Sequence, residues 1–363
     1  MHVYRRQVAA GILFISLVLI AVVIVTGKDA LLETLERFPP AYFIPIFALK
    51  LVNWALRYYE WRYFLGVIGV RTSWRGPTAP AQDGAPPTIR EWDSVILWLA
   101  GMTLTVSPGK LAEVLKSLVL KHLTGVEFSR SAPVVFMERL VDGLAVIVLA
   151  GVALGLTAGS LVGTDVSTGY AVAVLVGTTA ALSAGIALVQ VRPLALAVID
   201  RTAGWPLIGR FNSAIRTLYE SSYDLLKLRH LGPMTLVGIG AYFCDSVGFY
   251  LLLRGLGVAG SPTLFAQAVF ILGFSVIVAA LSAMPGGAGG REITVGALLT
   301  GVVGLSRADA GTATFLISLF QVWVGVLVGL VVIALFRRTL FPPALNDEIV
   351  VYQAAQQSQA KSS

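Results

Sequence analysis

The chain has 363 residues, of which 56% are hydrophobic and only 13% charged, with a mean hydropathy of +0.80. A soluble domain carries about a quarter charged residues, so this composition excludes a soluble globular protein and defines an all-α polytopic membrane protein. The net charge of +7 then reads as Lys and Arg beside anionic lipid, not as a nucleic-acid footprint, while a single cysteine (Cys244) and three scattered histidines (His2, His122, His230) leave no disulfide, metal cluster or cofactor to expect.

Arg5 and Arg6 precede an apolar run at residues 8–25. It is longer than a signal-peptide core of about 7–15 residues and no small-x-small cleavage site follows, so it reads as a retained first span. Further apolar runs cover residues 41–70, 94–106, 133–155, 166–191, 232–253, 262–283, 293–305 and 312–336. The run at 94–106 is too short to cross about 30 Å of hydrocarbon as a helix. It breaks at Ser107-Pro108-Gly109 and restarts as "KLAEVLKSLVLKHL". The run at 262–283 breaks at Met284-Pro285-Gly286-Gly287 and restarts at Arg291-Glu292. Each reads as a hydrophobic hairpin, helix in and helix out around a Pro-Gly break. The glycine-rich stretch 284–290 also has the plainer reading of an extramembrane loop.

The flanking charges set an orientation. Segments 71–93 and 192–230 are rich in Arg and Lys and belong inside, as do Arg5, Arg6, Arg337 and Arg338; segments 27–40, 156–168 and 254–310 are poor in basic excess and belong outside. This gives six full spans, two re-entrant hairpins that enter from opposite faces, and both termini in the cytoplasm. A single membrane domain then covers residues 1–343. Within it, 76–90 is a mobile Pro/Ala-rich cytoplasmic linker and 199–230 an interfacial helix; 344–363 is a polar tail. No stretch suffices for a soluble catalytic domain.

The two hairpins resemble each other. Glu113 follows Pro108-Gly109, and Glu292 follows Pro285-Gly286. A span with polar residues precedes each: Lys50, Asn53, Arg57 and Glu60 before the first, Tyr242 and Asp245 before the second. With opposite faces of insertion, this is the pattern of an inverted repeat. Lys50, Asn53, Arg57 and Glu60 recur at helical spacing and share one face. Charges at membrane depth are costly, so they face a cavity or pair with one another. In the functional reading, Lys116, Arg139 and Arg291 steady a phosphate, half-helix N-termini add N–H donors, and Glu113 and Glu292 bind polar groups or take protons. In the structural reading, Arg57–Glu60 and Arg139–Asp142 are ion pairs that lock helices. Asn53, Arg57, Glu60, Tyr242 and Asp245 are possible cavity lining. Gly151, Gly155, Gly159, Gly163, Gly325 and Gly329, spaced by four, are expected to pack helices, and Trp54, Trp61, Trp92, Trp98 and Trp205 to anchor at the interface.

The stretches "SPGKLAEVLKSLVLK", "MERLVDG" and "MPGGAGGRE" together resemble the flippase-like membrane domain of lysylphosphatidylglycerol synthases, over most of residues 41–336. The matching positions are Pro108, Gly109 and Glu113, then Glu138, Arg139 and Asp142, then Pro285, Gly286, Gly287, Gly289 and Glu292. Gly290 stands where that family more often has a bulkier apolar residue, which implies a looser hairpin here. The soluble aminoacyl-transferring domain of those enzymes has no counterpart, so that activity is not implied. The resemblance implies movement of a polar-headed lipid between leaflets in the cell membrane of a bacterium or archaeon, with a phosphate-bearing lipid as partner. The rival readings are an intramembrane lipid-modifying enzyme, which lacks any recognised catalytic motif here, and a non-transporting partner of a glycosyltransferase. A homo-oligomer is compatible with all three.

Overall fold

Backbone polar groups in hydrocarbon have to be satisfied within their own segment, so long apolar runs fold as helices. The computed structural model describes residues 27–81, 85–106, 113–157, 191–202, 222–282, 284, 287 and 289–340, with isolated positions elsewhere. Most of the runs at 8–25 and 166–191 lie outside the described residues, as do Pro108, Gly109, Pro285 and Gly286.

After a short helix α1 (Lys28–Arg37), α2 runs over Phe43–Val67. Its 25 residues would reach about 37 Å, ample to cross. Next come α3 (Glu91–Gly101), which tightens into a 3₁₀ turn over Met102–Val106, and α4 (Leu115–Thr124). They have 11 and 10 residues, so each reaches only about half the hydrocarbon thickness. α5 (Phe128–Thr157) is long, α6 (Arg192–Thr202) short, and α7 (Leu228–Gly255) long. α8 (Pro262–Leu281) is capped by the Ser261 hydroxyl, which accepts from Leu264 N. α9 (Gly290–Leu298) ends in a π-turn at Leu299–Val303, and α10 (Arg307–Leu335) carries a second π-turn at Leu319–Trp323. Four described helices, α5, α7, α8 and α10, are long and apolar enough to cross a membrane. α2 has the length but carries Lys50, Arg57, Glu60 and Arg62. The 20-residue α8 is itself long enough to span, where the hairpin reading assigned it only the first arm of a re-entrant pair.

Two interhelix segments differ from expectation. The supposedly mobile linker is pinned at both ends: β1 (Arg71–Ser73) pairs in parallel with β2 (Thr88–Arg90), and Ala79 bridges Thr88. Thr78 Oγ1 accepts from Arg90 N at 3.0 Å and donates to the Asp93 carboxylate, and Ile89 is fully buried between them. Proline- and alanine-rich composition read as a mobile linker, but apolar Ile89 and the Thr78 hydroxyl supply local anchors that composition does not show. Residues 199–230 do not run as one helix: the chain turns at 224–227, and Leu228 to His230 open α7.

The helices pack in a crossed pattern. α2 lies along α7. α5, which follows the first pair of short helices, packs on α8; α10, which follows the α8–α9 pair, packs on α3 and its 3₁₀ turn. The first helix of each pair therefore packs on the long helix that follows the other pair. Small residues permit both approaches. A Cβ on Gly273 of α8 would meet Ala150 Cβ of α5 at 3.0 Å, and one on Gly329 of α10 would meet Thr103 Cγ2 at 2.7 Å and Leu99 O at 2.9 Å. Gly325 and Gly329 thus pack as their spacing suggested. Gly151 and Gly155 do not, because a Cβ on either would meet nothing within 4 Å, and Gly159 and Gly163 lie outside the described residues.

Two apolar cores result. One gathers α3, α4, the first half of α5, the start of α7 and the far ends of α2 and α10, with Trp61, Phe64, Leu97, Leu120 and Met137 at its centre. The other gathers α8, α9, the second halves of α5 and α7 and the near ends of α2 and α10, with Phe249, Phe270, Phe274 and Leu299. α2 and α10 run from the second core to the first, whereas α5 and α7 run the opposite way. Where α2, α5 and α7 cross between the cores, Gly238 lets them touch: a Cβ there would lie 3.0 Å from Val141 Cγ1, 3.2 Å from Ala145 Cβ and 3.2 Å from Glu60 Oε1. Gly238→Ala is therefore expected to cost about 1–3 kcal/mol by overpacking. Gly151→Ala, with open space around it, should match or slightly exceed wild-type stability. Thermal unfolding of the two variants in the same detergent checks the contrast.

Candidate functional site: a charge layer between the two cores

Lys50, Asn53, Arg57 and Glu60 share one face of α2 and span about 15 Å along its axis, the interval between the two cores. All but Arg57 are buried. Each needs a partner at that depth, and the partners come from other helices. Lys50 Nζ donates to Asp245 of α7 at 3.1 Å. Asn53 Nδ2 donates to Ala241 O at 2.8 Å. Arg57 does not pair with Glu60, as a helical spacing of three allowed; it donates to Asp142 of α5, with its guanidinium 4.8 Å from the Tyr242 ring centroid.

The second arm of the first pair is tied to α5 in the same way. Glu113 and Lys116, neighbours on one helix face, both look outward to α5. Lys116 Nζ donates to Glu138 Oε2 at 2.7 Å and sits 4.7 Å from the Trp61 ring centroid. Arg139 reaches Glu113 Oε2 at 3.1 Å and Asp142 Oδ2 at 2.8 Å, so the Arg139–Asp142 pair read from the sequence forms, but as part of a larger chain. Glu113, Arg139, Asp142 and Arg57 are thus consecutive links.

At the other end, Arg291 and Glu292 open α9. Glu292 Oε2 accepts from Gly289 N at 2.7 Å, the back-bond of an N3 glutamate to the residue that caps its helix. Its Oε1 accepts from Arg291 Nη2 at 2.7 Å and from Ser318 Oγ at 2.8 Å. Arg291 also donates to Ser318 at 3.1 Å and to Gln321 at 3.4 Å, both on α10. Gly287 and Gly289 hold positive φ values of 70° and 86°, and a Cβ on Gly287 would come within 2.6 Å of Ala279 Cβ, so only glycine lets the chain turn this close to α8. Gly290 is not a loose point: a Cβ there would press on Ser282 Oγ at 3.1 Å.

Lys50 lies within electrostatic range of both Arg57 and Arg291. The described candidate residues therefore form one polar layer, from Glu113 on the first half through α5, α2 and α7 to Glu292 on the second. Its cations are all engaged by carboxylates, yet Arg139 Nε and Arg291 Nε each keep a buried N–H with no partner among the described residues. One such guanidinium holds Glu113 and the other holds Glu292. Ser318 and Gln321 were not singled out from sequence, though their spacing of three in an otherwise apolar run was the available signal. Trp61 and Trp98, expected at an interface, are buried in the core beneath Lys116 and Tyr58, and Trp61 Nε1 donates to Ser94 at 3.2 Å. Trp92 is exposed and Trp205 lies outside the described residues.

Several helices long and apolar enough to cross a membrane and a buried charge layer define a multi-pass membrane protein with a polar centre. The model of the lysylphosphatidylglycerol synthase transmembrane-region family matches residues 8–329, and the chain belongs to that family. This makes it a membrane protein of a lipid-modifying or lipid-handling family. No curated protein and no solved structure matches it.

Proposed function

We propose that the chain is a lipid flippase or transporter that moves a phosphate-bearing, polar-headed lipid or lipid-linked sugar between the leaflets of a bacterial or archaeal cell membrane. The observation that carries this reading is the layer of buried charge that holds Glu113, Arg139, Asp142 and Arg57, then Lys50 and Asp245, then Arg291 and Glu292. A headgroup phosphate is a bidentate acceptor, and the spare Nε–H groups of Arg139 and Arg291 offer one donor beside Glu113 and one beside Glu292. Arg139 is the more accessible, with its side chain 32% exposed. Phosphate arriving there would compete with Glu113 and Asp142 for the guanidinium, opening the layer by exchange of ion-pair partners.

In this reading α3–α4 and α8–α9 are re-entrant hairpins, Pro108-Gly109 and Pro285-Gly286 form their tips, and six full spans surround them with both termini in the cytoplasm. The placement of each pair in a different core supports insertion from opposite faces, and the crossed packing of α5 on α8 and α10 on α3 supports an inverted repeat. Two oppositely inserted hairpins meeting at a polar layer suit alternating access better than a one-sided catalytic pocket.

The test is mass spectrometry of lipids retained by the gently purified protein, against the Glu113→Gln/Glu292→Gln double variant. Enrichment of one phosphate-bearing or glycosylated lipid in wild type, lost in the variant, is expected. A lipid profile equal to the bulk membrane in both removes the support for transport and favours a role as an assembly partner.

A further inference from the structure

The charge layer does not balance. Around the crossing of α2 and α5, three cations, Arg57, Lys116 and Arg139, face four carboxylates, Glu60, Glu113, Glu138 and Asp142, among the described residues. The ion pairs assign every cation: Asp142 takes Arg57 and Arg139, Glu113 takes Arg139, and Glu138 takes Lys116. None reaches Glu60. Its residue is 1% exposed, and its Oε1 has no hydrogen-bond partner among the described residues. Glu113 also leaves one oxygen without a hydrogen-bond partner among the described residues, but its other oxygen holds Arg139.

Among the described residues around Glu60, every cation is already paired with another carboxylate. α5 presents two carboxylates, Glu138 and Asp142, together with Arg139, and α2 itself presents Arg57; both arginines are already held. α4 presents Lys116, bound to Glu138. α7 presents the bare backbone of Gly238, where a Cβ would lie 3.2 Å from Glu60 Oε1, and beyond it Tyr242, stacked on Arg57. A surplus buried anion at this depth costs several kcal/mol. A proton on the carboxylate removes that cost and leaves the arginine pairs undisturbed.

We propose that Glu60 is the proton-binding carboxyl of the charge layer, and that it carries a proton whenever the layer is closed. This coupling rests on the transport reading above. When the layer opens to water on either face, the Glu60 O–H bond breaks, the proton passes to water, and the carboxylate is solvated. Closure re-forms the O–H bond with a proton taken from the water on the side last exposed. Because only the neutral form fits the closed layer, a difference in pH between the two faces biases the direction of lipid exchange.

Two measurements test this on the full chain. Infrared difference spectroscopy of the purified protein in lipid nanodiscs at neutral pH reads the carbonyl stretch of a protonated carboxylic acid. Such a band is expected in wild type, and its loss in Glu60→Gln. No band in wild type, or the same band in Glu60→Gln, overturns the assignment. The second measurement uses proteoliposomes carrying a headgroup-labelled phosphatidylglycerol as probe. Wild-type exchange between leaflets should respond to an imposed pH gradient, and Glu60→Gln should lose that response. Wild-type exchange that ignores the gradient overturns the coupling, while transport stands, and this arm needs no variant to fold. No exchange of the probe by wild type overturns the transport reading and the coupling with it, but leaves a protonated Glu60 standing if the infrared band is found.

Discussion

Replacing Lys116 with methionine is expected to destabilise the protein by about 3–5 kcal/mol, because it strands a buried carboxylate. Lys116 and Glu138 are the most enclosed pair in the layer, with both side chains 5% exposed and 2.7 Å between Nζ and Oε2. The lysine stem is confined as well: it lies against Gly101, where a Cβ would come within 2.5 Å of Lys116 Cδ, and its ammonium faces the Trp61 ring. Methionine fills much of the same volume and removes only the charge. Glu138 would then face Glu60 and Asp142 with no cation of its own. The double variant Lys116→Met/Glu138→Gln removes both charges and should recover most of the loss, since an ion pair replaced as a unit is often near neutral. The midpoints of thermal unfolding in detergent for the single, the double and Glu138→Gln alone complete the cycle. Equal losses in single and double variants would place the cost in packing against Trp61 and Gly101, not in the ion pair.

The second large effect is expected at Glu292. Its two oxygens accept three hydrogen bonds, from Gly289 N, Arg291 and Ser318. Glutamine keeps one oxygen and turns the other into a donor. That donor would point either at Gly289 N–H or at the Arg291–Ser318 pair, so one end of the break must let go. The loss of one or two charge-assisted bonds costs about 1.5–3 kcal/mol each, which a helical membrane domain of this size should survive folded. Exchange of the labelled phosphatidylglycerol in proteoliposomes should fall to background. A folded Glu292→Gln that still exchanges the probe would remove Glu292 from the mechanism. A variant that unfolds would make it a structural cap for α9.

Much of this organisation was legible in the sequence, and the reason is local. The apolar runs at 133–155 and 232–253 sit inside α5 and α7, because in hydrocarbon a helix is the only way a single segment satisfies its own backbone. The brevity of α3 and α4 followed from run length and the Pro-Gly break. Lys50, Asn53, Arg57 and Glu60 fall on one face because helical periodicity alone puts them there. The glycines at 287 and 289 were recognisable as a reversal, and their positive φ values are what that reversal requires.

Local pattern says which way a residue faces but not what it meets. Arg57 could have paired within its own helix at a spacing of three, but Asp142 lies opposite it across 85 residues of sequence, and Lys50 meets Asp245 across 195. Trp61 is indistinguishable in sequence from an interface tryptophan and is buried because α3, α4 and α5 pack around it, with Lys116 over its ring. Gly151 and Gly155 share the spacing of Gly325 and Gly329, yet only the latter two find a helix to pack on. By itself, the sequence determined the class of protein, the helices and the face of α2 that carries charge. Only the tertiary structure decided how those charges pair, and that Glu60 has no cation left for it. Periodicity is set within one helix, whereas an ion pair and a charge balance are properties of the space between several.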